Sequence, residues 1–271
     1  MAAQPFHDEA RFFRSPALPD TEMLAARFFQ HAFAPHWHEC YVVAVITAGA
    51  EGYDYHGSRH VAGPGWLACI NPDEIHTGER AADMGWAYRV FYPSAGVMRE
   101  LARQLGAKGL PRLPLESVED RPLAARLAHA HSLLQDGRDL LQAQTEALTA
   151  LTALLRRHAD LAPPPPPMRD APRVEHMRQR MAADLAEPLT LDQLAAGVGL
   201  SAFHAARLFA RHTGMAPHAW RNMLRVNRSL DLLRAGSSVA EAASACGFAD
   251  QSHFTRHFRR AMGVPPGRWK G

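Results

Sequence analysis

His36 and His38 stand at i and i+2, a spacing that puts two imidazoles on one face of a β-strand, and His76 can complete a set of three. Three neutral imidazoles are a transition-metal donor set. The same residue types also hydrogen-bond small organic ligands or serve as structural histidines, and the spacing leaves these alternatives open. Neighbouring carboxylates do not decide the matter: Glu39 falls on the opposite face of a regular strand, while Glu74 sits in a turn and offers a substitute ligand. Tyr53 and Tyr55 share a face by alternation, and Trp86 lies in a further apolar segment. With the histidines they form the candidate small-ligand set, although aromatics at strand spacing are more often core than pocket. No Ser/His/Asp constellation, phosphate-binding glycine loop or paired-carboxylate motif occurs, so no catalytic residue is assigned and no cofactor is expected. Cys40, Cys69 and Cys246 are odd in number and lack metal-ligand spacing, which fits reduced core thiols.

The elements that must carry these side chains read as short strands. Residues 6–115 are broken by Gly57-Ser58, Gly63-Pro64-Gly65 and Asn71-Pro72 into apolar segments near 41–47, 52–56, 66–70 and 86–92, the pattern of an antiparallel sandwich or small barrel. From residue 121 to 161 the pattern changes to Leu and Ala at helical spacing, interrupted at Asp136-Gly137, which predicts two helices. Leu141, Leu148 and Leu155, with Leu151 between, form a seam that either docks on the barrel or pairs with a second subunit; docking is the default. Five consecutive prolines, 163–167, cannot continue a helix and read as a semi-rigid spacer. The domains expected are therefore 1–115, a helical pair at 116–161, a linker at 162–170, and 171–271.

The last of these carries an internal repeat. Thr190, Leu194, Gly199, Arg207, Phe209, Pro217 and Trp220 recur as Ser238, Ala242, Gly247, Arg256, Phe258, Pro266 and Trp269. Each copy opens on a capping box, Thr190-x-x-Gln193 or Ser238-x-x-Glu241, and reaches a glycine suited to a left-handed turn before a second helix begins at Ser201 or Asp250. That is a helix-turn-helix, twice. A supporting helix is expected over 174–185, and a long one between Pro217 and Gly236 joins the copies at a length near the spacing of successive major-groove faces. Charge follows the same division: residues 168–271 hold 15 Lys+Arg against 8 Asp+Glu, whereas residues 1–167 hold 15 against 19. A basic half built of duplicated helix pairs is an electrostatic footprint for double-stranded DNA.

The C-terminal hundred residues resemble the AraC/XylS transcription regulators, most closely in Gly247-Phe248-Ala249-Asp250-Gln251-Ser252-His253-Phe254 followed by Phe258, Gly263 and Pro266. Carried over by position, the resemblance implies that Phe203, Ala206 and Arg207 on the first reading helix, and Gln251, Ser252, Thr255 and Arg256 on the second, face DNA. His204 and Arg211 are further candidates on the first. The N-terminal half resembles the cupin-like effector domain of that family in Pro35-His36-Trp37-His38-Glu39 through Gly49, and in Gly63-Pro64-Gly65 through His76. Metal cupins carry a Glu a few residues after His-x-His, where Val42 and Val43 stand here, and this lowers the metal reading. The fold class expected is α+β, an antiparallel cupin-like β-barrel with two following helices linked to an all-α domain of two helix-turn-helix units. The expected function is sequence-specific transcriptional regulation, commonly activation, controlled by a small-molecule effector bound in the barrel by His36, His38, Tyr53, Tyr55, His76 and Trp86. RNA polymerase and a second copy of the chain are expected partners. The alternatives are a metal-dependent cupin enzyme fused to a DNA-binding domain, or a constitutive DNA-binding protein. No apolar run reaches the ~20 residues of a membrane helix, and no signal-peptide pattern opens the chain, so a cytoplasmic location is expected.

Overall fold

The computed structural model describes residues 7–114, 116–161 and 170–269. They fall into two compact units, 7–161 with Trp269 and 170–268. The proline spacer expected at 163–167 lies outside the described residues.

The first unit holds the strands β1 (Glu9–Arg14), β2 (Thr21–Phe28), β3 (Phe33–His36), β4 (Val42–Gly49), β5 (Glu51–Tyr55), β6 (Ser58–Ala62), β7 (Trp66–Ile70), β8 (His76–Arg80), β9 (Trp86–Pro93) and β10 (Ser117–Glu119), and the helices α1 (Ala95–Gln104), α2 (Arg121–Asp136) and α3 (Leu140–His158). The strands pair antiparallel as a six-stranded sheet, β1-β2-β9-β4-β7-β10, and a four-stranded sheet, β3-β8-β5-β6. The larger sheet is apolar on both faces because each has a layer to cover. Met23, Val43, Val45, Leu67 and Phe91 join Leu123, Leu127, Leu151 and Leu154 in one core beneath the helices. On the opposite face the Phe28 ring meets Tyr88 of β9 and Phe33 of β3, which closes the space between the sheets at one end.

Strand β10 extends the sheet past residue 115, so the β-rich part continues into the segment expected to be helical. Helix α1 was not anticipated, although Ser94 caps it and Met98, Leu101 and Ala102 bury one face. Along the α3 seam, Leu151 and Leu155 are fully buried while Leu141 is 75% exposed, so the helix docks except at its start.

The second unit consists of α4 (Ala171–Ala183), α5 (Leu191–Ala196), α6 (Ala202–Thr213), α7 (Pro217–Arg234), α8 (Val239–Ala245) and α9 (Gln251–Met262). Helix α4 begins three residues before the expected Val174 and ends before Leu185, and it buries Val174, Met177 and Met181. Both capping boxes form. Gln193 N–H donates to Thr190 Oγ1 at 3.2 Å and Gln193 Oε1 accepts from Thr190 N–H at 2.8 Å; the Ser238–Glu241 pair repeats both distances. Gly199 and Gly247 take φ of +66° and +74°, the left-handed turn that each helix pair requires. At ~1.5 Å per residue the 18 residues of α7 span about 27 Å.

Candidate functional sites

Helices α6 and α9 each split cleanly into a buried and an exposed face. On α6, Ala205, Leu208 and Phe209 are buried, while His204, Arg207 and Arg211 are exposed and Ala206 is half-buried. On α9, Phe254, Phe258, Ala261 and Met262 are buried; Gln251, Ser252 and Arg256 are exposed and Thr255 is half-buried. The backbone of Phe203 lies in the first turn of α6, but its side chain is outside the described residues. Arg259 and Arg260, exposed in the last turn of α9, extend the basic face and were not singled out from sequence. The period that places Arg256 outward, continued by three or four residues, finds them. Ser201 and Asp250 cap the two helices at their third amides, so the N-terminal turns are fixed.

The support behind these helices comes from arginines that sequence reading passed over. Arg221 Nη2 donates to the carbonyls of Asp184 and Glu187, at 2.8 and 2.6 Å. Arg225 donates twice to the Leu185 carbonyl, at 3.1 and 2.7 Å, and its guanidinium stands 5.8 Å from the Phe248 ring centroid. The segment after α4 is thereby tied to α7 and to the turn of the second helix pair. Burial lowers the pKa of both guanidinium groups.

In the first unit, His36, His38 and His76 come together: their potential ligand atoms all lie within 4.8 Å of one another. The regular strand ends at His36, so His38 does not share a strand face with it. It is held instead through its carbonyl, which accepts from Asp73 N–H at 2.8 Å in the loop that leads to His76. His36 and His76 are register partners across β3 and β8. His36 Nδ1 donates to the Ala34 carbonyl at 2.9 Å, and His76 Nδ1 to the Glu74 carbonyl at 3.1 Å. Burial drives the pKa of His36 down to about 4, against the Ala34 hydrogen bond, and drives His38 and His76 well below the usual histidine value; the neighbouring imidazoles add to both shifts. All three are neutral at neutral pH.

Glu74 does not supply the missing carboxylate ligand. Its side chain accepts from the Tyr55 hydroxyl and from Asn71 Nδ2, the latter at 3.0 Å. The Tyr53 hydroxyl donates to the Glu116 carbonyl. Tyr53 and Tyr55 are thus buried on one face, as alternation requires, with both hydroxyls engaged by protein. Trp86 is 1% exposed and packs on Phe28 and Tyr88.

Glu51, which sequence reading left just outside a strand begun at Gly52, is a buried carboxyl on the β5 side of this interior, and Glu22, the register partner of Tyr92, is a second buried carboxyl. Glu51 shares the face of Tyr53 and Tyr55, and a β-carbon on Gly78 would lie 3.2 Å from its Oε1; Gly78 is two residues along β8 from His76. Burial raises its pKa to about 8, so the group is mostly protonated at pH 7. Tyr92, whose ring stands 5.2 Å from that of His38, has its pKa raised by burial and by nearby groups that include Glu51.

Residues 18–155 match the model of the AraC-like ligand binding domain, and residues 194–271 match that of a helix-turn-helix domain. The chain is 27% identical over 241 residues to the uncharacterized HTH-type transcriptional regulator YbfI of Bacillus subtilis, covering 87% of this chain and 86% of that protein. It is 26% identical over 265 residues to the HTH-type transcriptional activator RhaS of Escherichia fergusonii, covering 93% and 92%. Among solved structures, an unsaturated fatty acid bound form of ToxT from Vibrio cholerae superimposes with a TM-score of 0.58 at 12% identity, over 98% of this chain and 95% of that one. The likeness to ToxT is one of fold.

Proposed function

The chain belongs to the AraC family of DNA-binding transcriptional regulators with an N-terminal ligand-binding domain, and from that premise we propose that α6 and α9 are its two reading helices. They enter adjacent major-groove faces of one duplex. Arg207 and Arg256 are suited to guanine O6 and N7, Gln251 to adenine N6 and N7, and Ser252 and Thr255 to either. Ala206 offers only a methyl contact, and Phe203 completes the set taken over from the resemblance. The observation that carries this reading is the division of both helices into an apolar buried face and an exposed face bearing Arg207 or Arg256.

The effector site is the interior between the two sheets, around His36, His38 and His76, with Tyr53, Tyr55 and Trp86 forming its packed wall. ToxT has been solved with a fatty acid. Here the imidazoles and Glu51 favour a small polar effector over an acyl chain, because polar groups facing an alkyl chain lose their hydration without replacement. Such a ligand alters DNA affinity only by its differential affinity for two arrangements of the protein. A second copy of the chain is a further partner, for which the exposed Leu140 and Leu141 at the start of α3 offer an apolar contact, and RNA polymerase is the partner of an activator.

The test is promoter binding and reporter output measured against a panel of small polar metabolites. At least one compound is expected to shift the DNA dissociation constant or the output. Sequence-selective binding that no compound alters would leave a constitutive regulator.

A further inference from the structure

We propose that His36, His38 and His76 form a binding site for one divalent first-row transition-metal ion of the Zn²⁺, Co²⁺ or Ni²⁺ class. The site is assembled from two backbone constraints and one buried side chain. The β3–β8 pairing sets His36 opposite His76, the bond from Asp73 N–H to the His38 carbonyl brings the third ring in, and Trp37 anchors the chain between them at 1% exposure. Two of the rings have one nitrogen satisfied by a backbone carbonyl, as metal-ligand imidazoles do. With Nδ1–H given to the Ala34 and Glu74 carbonyls, His36 and His76 keep the Nε2 lone pair for a ligand, the outer-shell arrangement that fixes tautomer and ring plane in metal centres.

Ring centroids stand 4.3 to 5.3 Å apart, so three imidazoles converge, and among the described residues no carboxylate belongs to the cluster. An ion ~2.1 Å from each nitrogen would need the ligand atoms drawn in to about 3.4 Å of one another, which is within reach of small side-chain rotations from a separation of 4.8 Å or less. All-nitrogen donors without carboxylates exclude Mg²⁺ and Ca²⁺. Three protein ligands also leave a coordination position open to water or to an oxygen of a bound small molecule. The site stands on the histidine geometry alone and is independent of whether effector binding controls DNA affinity.

Zinc and cobalt titration of full-length, tag-free, chelator-dialysed protein tests this, read by calorimetry and by the cobalt visible spectrum. One equivalent is expected at micromolar affinity or tighter, with ligand-field bands of a four-coordinate nitrogen-rich centre and three imidazoles counted by X-ray absorption. His38→Ala replaces a half-buried ring and is expected to weaken binding by about 100-fold or more. His253 and His257, one turn apart on α9 with Nε2 atoms 3.0 Å from each other, form a competing two-imidazole site. His253→Ala is accordingly expected to leave the high-affinity equivalent intact. Folded wild-type protein that takes up no stoichiometric ion, or binding that survives His38→Ala but is lost in His253→Ala, overturns the proposal. If His38→Ala fails to fold, the wild-type imidazole count decides: fewer than three overturns it.

Discussion

Gly247 packs directly on Leu185: a β-carbon at position 247 would overlap the Leu185 carbonyl oxygen and lie 2.7 Å from the Ala186 α-carbon. That same carbonyl receives both hydrogen bonds from Arg225. Gly199, at the matching turn of the first repeat, has open space around its missing side chain. Gly199→Ala is therefore expected to cost only the left-handed backbone penalty, about 1–2 kcal/mol. Gly247→Ala adds a backbone clash and is expected to cost more than about 3 kcal/mol. Thermal unfolding of the two variants checks the asymmetry, and equal losses would mean that the turn has room to yield at Gly247.

Glu51 and His131 set opposite pH limits on the first unit. The Glu51 carboxyl has its folded pKa raised by burial to about 8, above an unfolded value near 4.5; its contribution is complete below pH 4.5 and is lost as pH rises towards 8. His131 has its pKa lowered to about 3, chiefly by burial and also by Arg89. Its contribution is complete above pH 6.5 and is lost as pH falls towards 3. Stability is thus expected to peak between about pH 5 and 6.5. Glu51→Gln is expected to flatten the alkaline limb, recovering roughly 3 kcal/mol at pH 7 at 1.36 kcal/mol per pKa unit. Denaturant midpoints across pH 5–9 provide the check, and an unchanged slope in the variant would show that Glu51 ionises freely in the fold.

The legible parts of the sequence were those whose signal is local. Capping boxes at Thr190 and Ser238, glycines at 199 and 247, and the outward spacing of Arg256 are decided within one or two turns of chain, and the structure carries each of them. The sheet was less legible: β4, β5, β7 and β9 stand near the segments marked by Gly and Pro, but β2, β3, β8 and β10 are specified by partners distant in sequence, and β1 is an edge strand paired to β2 alone. Glu51 and Arg89 escaped notice for the same reason. A charged residue in a strand reads as solvent-facing until a second layer covers it. Arg89 is directed to His131 and Gln135 of α2, at 3.0 and 2.9 Å, and no periodicity announces that pairing.

The two capping boxes give a second quantitative test. Thr190→Ala and Ser238→Ala each remove the acceptor for an orphan amide at the start of α5 or α8, with an expected loss of about 1 kcal/mol of unfolding free energy. Chemical denaturation measures it, and neutral substitutions would show that water satisfies these amides as well.

Arg259 and Arg260 differ from Arg256 in what they are expected to do. Placed at the last turn of α9, they are suited to phosphates rather than base edges. Alanine at either is expected to weaken binding to all sequences alike and to lower the salt slope of log K by about one. Anisotropy titrations over a range of salt on specific and random duplexes separate the outcomes; a loss confined to the specific duplex would assign them to base reading.

The most direct measurement is selection of bound DNA from a random pool by the wild-type protein, Arg207→Ala and Arg256→Ala. Wild type is expected to enrich two short sequence blocks about one helical turn, ~10 bp, apart. Arg207→Ala should degrade one block and Arg256→Ala the other. If the pool shows no enriched blocks, or if both survive unchanged in the two variants, then α6 and α9 are not the reading helices.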